Sequence, residues 1–217
     1  MQIRNIKVFQ ILISISFALF IISLSIILTL LFVPLYYFDI GYLGIDRLTG
    51  ISRDTIMENY KYMIQYLFNP LPQSFRLPSL PYSERGQIHF ADVKKIFTSI
   101  EVFLFVTGII STAGLYRSIK RGVIDVLKKT YLILLIFILL LFAAFAVNFN
   151  AVFILFHQIF FRNNYWLFDP ASDPVINILP ETFFMHSALF ILGLIVLSII
   201  LLCMGHRRLL KKKKAAF

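Results

Sequence analysis

An all-α membrane protein with four transmembrane helices is the architecture this sequence predicts, and three observations predict it. Of the 217 residues, 59% are hydrophobic and only 15% are charged, against roughly 25% charged in an ordinary soluble domain. Mean hydropathy is +0.83. Asp, Glu, Lys and Arg are absent from residues 8–38, 130–161 and 182–206, and residues 96–116 carry only Glu101. A helix needs about 20 apolar residues to cross a ~30 Å hydrocarbon core, and all four stretches reach that length. A soluble globule of this composition would lack the polar surface to cover itself. Disorder is excluded too, because 24 Phe and long Leu/Ile runs are far from low hydrophobicity.

The elements follow in order within one membrane domain. The first helix is expected over about 8–37. Its apolar run is twice the length of a signal-peptide core and no small-x-small site follows, so it reads as a retained span. An outer cap over 39–92 comes next, too long for a plain connection. Within it, Ile56, Met57, Tyr60, Met63, Ile64, Leu67 and Phe68 fall on one face at helical spacing, which predicts an amphipathic helix over 53–68. Ser52 is its N-cap and Asn69-Pro70 stops it. Pro70, Pro72, Pro78 and Pro81, followed by Glu84-Arg85-Gly86, predict a projecting loop or short hairpin with a turn at Gly86. The remaining spans are expected over about 93–116, 130–159 and 182–206, with a second outer segment over 162–181. Trp166, Tyr165 and the neighbouring Phe residues in that segment suit an interfacial aromatic belt. No internal repeat is visible, so an inverted-repeat transporter lacks support.

Charge orients the chain. The N-terminus, the 117–129 loop and the C-terminal tail hold 13 basic residues and one acid, Asp125; the other side holds the remaining 8 basic and 10 acidic residues. Lys and Arg concentrate on the cytoplasmic side, so both termini are expected inside. The formal net charge of +10 is therefore a topology signal, not a nucleic-acid footprint. The Lys211–Lys214 run is the last such signal and also suits anionic lipid.

The titratable groups of the outer side carry the candidate chemistry. His206 lies at the cytoplasmic end beside Arg207 and reads as structural. His89, His157 and His186 converge in depth. If helix 3 enters near Thr130, 20 residues reach Asn150, and His157 lies roughly 10 Å further, at headgroup level. An imidazole there titrates near neutral pH and can move protons. A single one is adequately explained as a hydrogen-bonded interfacial histidine; three at one level point to function. Glu101, about two turns into helix 2, must be paired, protonated or wet, and Lys95 is a candidate partner. The lone Cys203 near the inner end of helix 4 reads as a small hydrophobe. There is no G-x-S-x-G elbow, no H-E-x-x-H, no zinc-finger spacing and no Gly-rich phosphate loop. No cofactor or metal is expected.

Read together, His89-Phe90-Ala91-Asp92-Val93, Phe156-His157-x-x-Phe160-Phe161-x-Asn163-x-x-Trp166, Asp169-Pro170-x-x-Asp173 and Leu179-Pro180-Glu181-x-Phe183-Phe184 resemble one small family across nearly the whole chain. It is the lipoprotein intramolecular transacylases, Lit, of Gram-positive bacteria. The resemblance implies a plasma-membrane acyltransferase with its active site facing outward. Its substrate is a lipoprotein whose N-terminal Cys carries a diacylglyceryl group on sulfur. The sn-2 acyl chain moves to the α-amino group of that Cys and leaves the lyso form. By motif position the acting histidines are His89 and His157. His186 has no motif match and reads as a packing residue.

The residues agree with that chemistry. The nucleophile belongs to the substrate, so no enzyme Ser or Cys is needed. Amine and ester share one molecule, so effective molarity supplies rate. His157 is the candidate base and His89 the partner at the leaving oxygen, or the reverse. Arg85, Arg162, Asn163 and Tyr60 are candidate oxyanion donors. Asp92, Asp173 and Glu181 are candidates to orient the histidines or bind the amine, and Trp166 to line the site. Two competing classes are another lipid-active hydrolase or acyltransferase, which would need an enzyme nucleophile, and a non-enzymatic transporter or interaction protein. Against the latter, helices 1, 3 and 4 look almost uniformly apolar through the middle. The oligomeric state is not legible.

Overall fold

The computed structural model describes the backbone of residues 2–215 and the side chains of residues 7–215. Among the described residues the ordered elements are all helical: α1 (Gln2–Leu31), α2 (Val33–Tyr42), α3 (Ile45–Thr49), α4 (Arg53–Phe68), α5 (Glu84–Lys120), α6 (Asp125–Phe160), α7 (Val175–Ile178) and α8 (Glu181–Ala215). Four of these, α1, α5, α6 and α8, are long and apolar enough to cross a membrane. The chain divides into two compact units. One comprises residues 1–27, 101–147 and 190–217; the other comprises 28–100 and 148–189.

The first unit is built from the apolar runs. Ala18, Ile21, Leu134 and Ile195 form its buried centre. Phe105, Ile136, Leu140 and Leu201 stay exposed, as side chains facing lipid do. Small residues set the close helix contacts. A β-carbon on Gly108 would meet Phe20, and one on Gly114 would overlap the Ile13 side chain. Helix α1, which reads as almost uniformly apolar through its middle, buries Ser14, Ser16 and Ser23. Ser14 donates to the Val126 carbonyl at 3.1 Å, and Ser16 to the Thr107 carbonyl at 3.3 Å. These hydroxyls bind helices together and do not line a polar path.

The second unit carries the cap. The first helix ends at Leu31, short of the expected 37, because Phe32 leaves helical geometry (φ −82°, ψ 69°) and Pro34 starts a new helix, α2. Proline suits a first turn, where its missing N–H costs nothing. Tyr36, Asp39 and Ile40 face inward from α2, while Tyr37, Phe38 and Tyr42 are exposed. Gly44 and Gly50 flank α3 with φ of 65° and 69°, the left-handed region that glycine enters without strain. Helix α4 covers the residues its periodicity predicts, and the Ser52 hydroxyl caps the Thr55 amide at 3.2 Å. Its apolar face joins a core with Tyr36, Ile45, Phe75, Phe90, Val175 and Phe183.

The hairpin expected around Gly86 does not form. Residues 69–83 run without helix or strand, and α5 begins at Glu84 with Gly86 in its first turn. The Ser83 hydroxyl accepts from the Gly86 amide at 3.0 Å, an N-cap that turn propensity alone concealed. Phe75 pins the loop by stacking on Phe90, with ring centroids 4.1 Å apart. Helix α6 is interrupted at Asn148 (φ −167°, ψ 101°). The Asn148 side chain accepts from the Ala151 amide at 3.0 Å and so caps the segment that carries His157.

Candidate active site

Within the second unit, residues 84–100 of α5 and 148–160 of α6 bring the predicted histidines together. His89 sits in the second turn of α5 and His157 in the last turn of α6. Their rings lie nearly parallel, at an interplanar angle of 24° with centroids 6.2 Å apart. Both are buried, at 6% and 9% exposure. The walls are aromatic. Phe161 lies 4.7 Å from His89 and 5.5 Å from His157. Phe168 closes on His89 at 5.2 Å, and Trp166 on His157 at 4.6 Å.

Hydrogen bonding distinguishes the two rings. His157 Nδ1 lies 2.7 Å from the Phe153 carbonyl oxygen. A carbonyl only accepts, so Nδ1 carries the proton and the neutral ring keeps its basic lone pair on Nε2. His89 Nδ1 is buried with no hydrogen-bond partner among the described residues. A buried nitrogen without a partner is costly.

The surrounding polar groups have separate tasks. Asp92 lies one turn after His89 on the same face of α5 and acts on its ring electrostatically. Its Oδ2 accepts from Asn163 Nδ2 at 3.2 Å. Asn163 in turn accepts from the Tyr165 amide at 3.0 Å, which ties this loop down. The Arg85 guanidinium lies 5.8 Å from the Tyr165 ring centroid. Asp173 is buried; it accepts from the Ser83 amide at 2.7 Å and the Ser172 hydroxyl at 2.8 Å. It therefore anchors the start of α5 at Ser83, six residues ahead of His89.

A model of the family "Lipoprotein intramolecular transacylase Lit" matches residues 11–184. The chain belongs to this family. Solved structures agree. A membrane-integral Lit from Bacillus cereus is 36% identical, covering 96% of this chain and 97% of that one, with a TM-score of 0.93. Two further structures of the Bacillus cereus protein, in which one histidine is replaced by arginine or by alanine, have TM-scores of 0.91 and 0.90 at 35% and 36% identity. They cover 100% and 99% of this chain, and 96% and 97% of those chains. The chain matches none of the curated proteins compared with it. Family membership makes it a multi-pass membrane acyltransferase that performs an intramolecular acyl shift on a lipoprotein.

Tyr60 stacks on Tyr36 at 3.8 Å in the cap core, and burial first, then the charge of Asp39, push its hydroxyl well above the ordinary tyrosine value. Glu181 accepts from Asn150 at 2.6 Å, just past the break in α6. Arg162 is exposed. Lys95, offered as the partner of Glu101, bonds Asp92 instead at 2.9 Å. Glu101 lines an apolar groove of about 920 Å³ with Phe20, Gly108 and Thr112. His206 is buried, 3.9 Å from Asp125. No cluster of three His, Cys, Asp or Glu among the described residues is arranged to hold a metal.

One pair was missed in the sequence. His186 Nδ1 lies 2.7 Å from Asp39 Oδ1, and Asp39 is fully buried, its Oδ2 without a hydrogen-bond partner among the described residues. His186 therefore does more than pack. In sequence Asp39 directly follows a long uncharged run and reads as the first residue of a loop.

Proposed function

We propose that this chain moves the sn-2 acyl chain of an S-diacylglyceryl lipoprotein to the α-amino group of its N-terminal cysteine, at the outer face of the bacterial plasma membrane, with His157 and His89 as its acid–base pair. The observation that carries this reading is the stacked histidine pair with the His157 tautomer set by Phe153. The Bacillus cereus structures with a replaced histidine support attention to this residue type.

The neutral amine attacks the sn-2 ester carbonyl, and a C–N bond forms. His157 Nε2 takes one N–H proton. The bond from the carbonyl carbon to the sn-2 oxygen then breaks, and the proton taken by His157 is passed to His89, which delivers it to that oxygen. Both rings start and end neutral, so the pair carries one positive charge at most during the cycle. That suits two imidazoles buried among Phe161, Phe168 and Trp166, where a doubly charged pair would be costly. Arg85, one turn ahead of His89, is the donor for the oxyanion that develops on the carbonyl oxygen. Aromatic walls keep water from the ester and favour transfer over hydrolysis.

Mass spectrometry of a diacylglyceryl lipopeptide incubated with the purified protein tests the reading. The expected product has unchanged mass, with one acyl chain on the peptide N-terminus and a free sn-2 hydroxyl. Release of fatty acid, or an acyl chain lost from sn-1, overturns it.

A further inference from the structure

The acyl shift begins with an amine that is partly protonated at neutral pH, near pKa ~8. An ammonium drawn in among phenyl rings loses its hydration, and this costs several kcal/mol unless a carboxylate receives it. The carboxylates around the histidine pair differ in what they have left to offer. Both Asp173 oxygens are occupied, by Ser83 and Ser172, and the residue is 3% exposed. Glu181 is held by Asn150, and Asp39 is sealed against His186. Asp92 alone among these combines proximity to His89 with an oxygen that faces outward.

That oxygen already holds a primary ammonium. Asp92 Oδ1 lies 2.9 Å from Lys95 Nζ, while Asn163 fixes Oδ2 from the other side. The Asp92 side chain is 25% exposed and that of Lys95 76% exposed. An exposed pair three residues apart on a helix is worth only about 0–1 kcal/mol. Lys95 is therefore easily displaced, and its Nζ shows that the site accepts an R–NH₃⁺ group.

We propose that Asp92 is the receptor for the substrate's N-terminal α-ammonium, and that Lys95 occupies this position until the substrate displaces it. Asn163 pre-orients the carboxylate. The bound ammonium lies one helical turn from His89, and release of one proton to solvent at the exposed edge of Asp92 generates the neutral nucleophile. The inference rests on the acyl-shift reading of the histidine pair and deepens it.

The test uses an unreactive probe, a lipopeptide with an S-dialkylglyceryl ether in place of the esters, made with a free or an N-acetylated terminus. Binding to the full chain in lipid nanodiscs is measured at pH 7. Wild type is expected to prefer the free amine by about tenfold, with the preference shrinking above pH 8. Asp92→Asn is expected to bind the two forms within about twofold of each other. Lys95→Met is expected to bind the free amine more tightly and the N-acetyl form unchanged. A preference retained in Asp92→Asn, or none in wild type, overturns the proposal. So does a Lys95→Met protein that binds the free amine no more tightly than wild type. Binding of the ether probe requires no catalysis, so failure of the histidine assignment would appear separately, as turnover by His157 variants.

Discussion

Asp173 Oδ1 occupies the space that a side chain on Gly86 would need. A β-carbon at Gly86 would overlap that oxygen and approach Phe168 Cε1 to 3.3 Å. The glycine lets a buried carboxylate reach the Ser83 amide at the start of α5. Gly86→Ala should therefore displace Asp173 and cost about 1–3 kcal/mol. A lowered thermal midpoint in detergent, with reduced lyso-lipoprotein formation, is the expected result. An unchanged midpoint would show that the contact is slack.

His157 supplies the sharpest catalytic test. His157→Asn keeps polarity but removes the basic Nε2. Turnover should fall on the order of a hundredfold or more, in line with loss of a general base, while the thermal midpoint stays near wild type. Full activity would remove His157 from the mechanism.

The buried Asp39 pairs with a half-buried His186, and the cost of breaking the pair depends on which partner is removed. His186→Leu leaves the fully buried Asp39 with neither oxygen partnered, so a loss on the order of 3 kcal/mol is expected. The double variant Asp39→Leu/His186→Leu should recover part of that loss, since no charge is left stranded. Thermal midpoints of the two single variants and the double form a complete cycle. Additive losses would show that the two residues are not coupled.

Tyr60 links cap stability to alkaline pH. Burial and the Asp39 charge raise its folded-state pKa above the unfolded value of about 10. The neutral hydroxyl is favoured in the fold, so this contribution is fully present below pH 10 and is lost as pH rises beyond it. Thermal midpoints measured from pH 8 to 11 should decline above 10, and Tyr60→Phe should flatten that decline. An equal slope in both proteins would contradict the assignment.

Asn148 restarts α6 ahead of His157. Removal of its cap in Asn148→Ala should cost about 1 kcal/mol. Activity should suffer more than stability does, because the capped segment positions one ring of the histidine pair.

Much of this architecture is local and therefore legible in sequence. Three uncharged runs, and a fourth that carries only Glu101, define four spanning helices because helix length and bilayer thickness are fixed quantities. The period of α4 and its Ser52 cap were legible for the same reason, as both involve residues a few positions apart. The motif residues His89 and His157 could be nominated from depth and resemblance alone. Their 6.2 Å ring separation could not, since it depends on how α5 and α6 pack across 68 positions of chain. The tertiary structure also decided that Gly86 enters a helix instead of a turn, because Asp173 and Ser83 together cap α5 there. It decided the break at Asn148 and the pairing of His186 with Asp39 across 147 positions. Hydropathy and periodicity report a residue's neighbours along the chain. Hydrogen-bond partners and buried charges are set by neighbours in space, and in this protein those contacts bring His89 and His157 together.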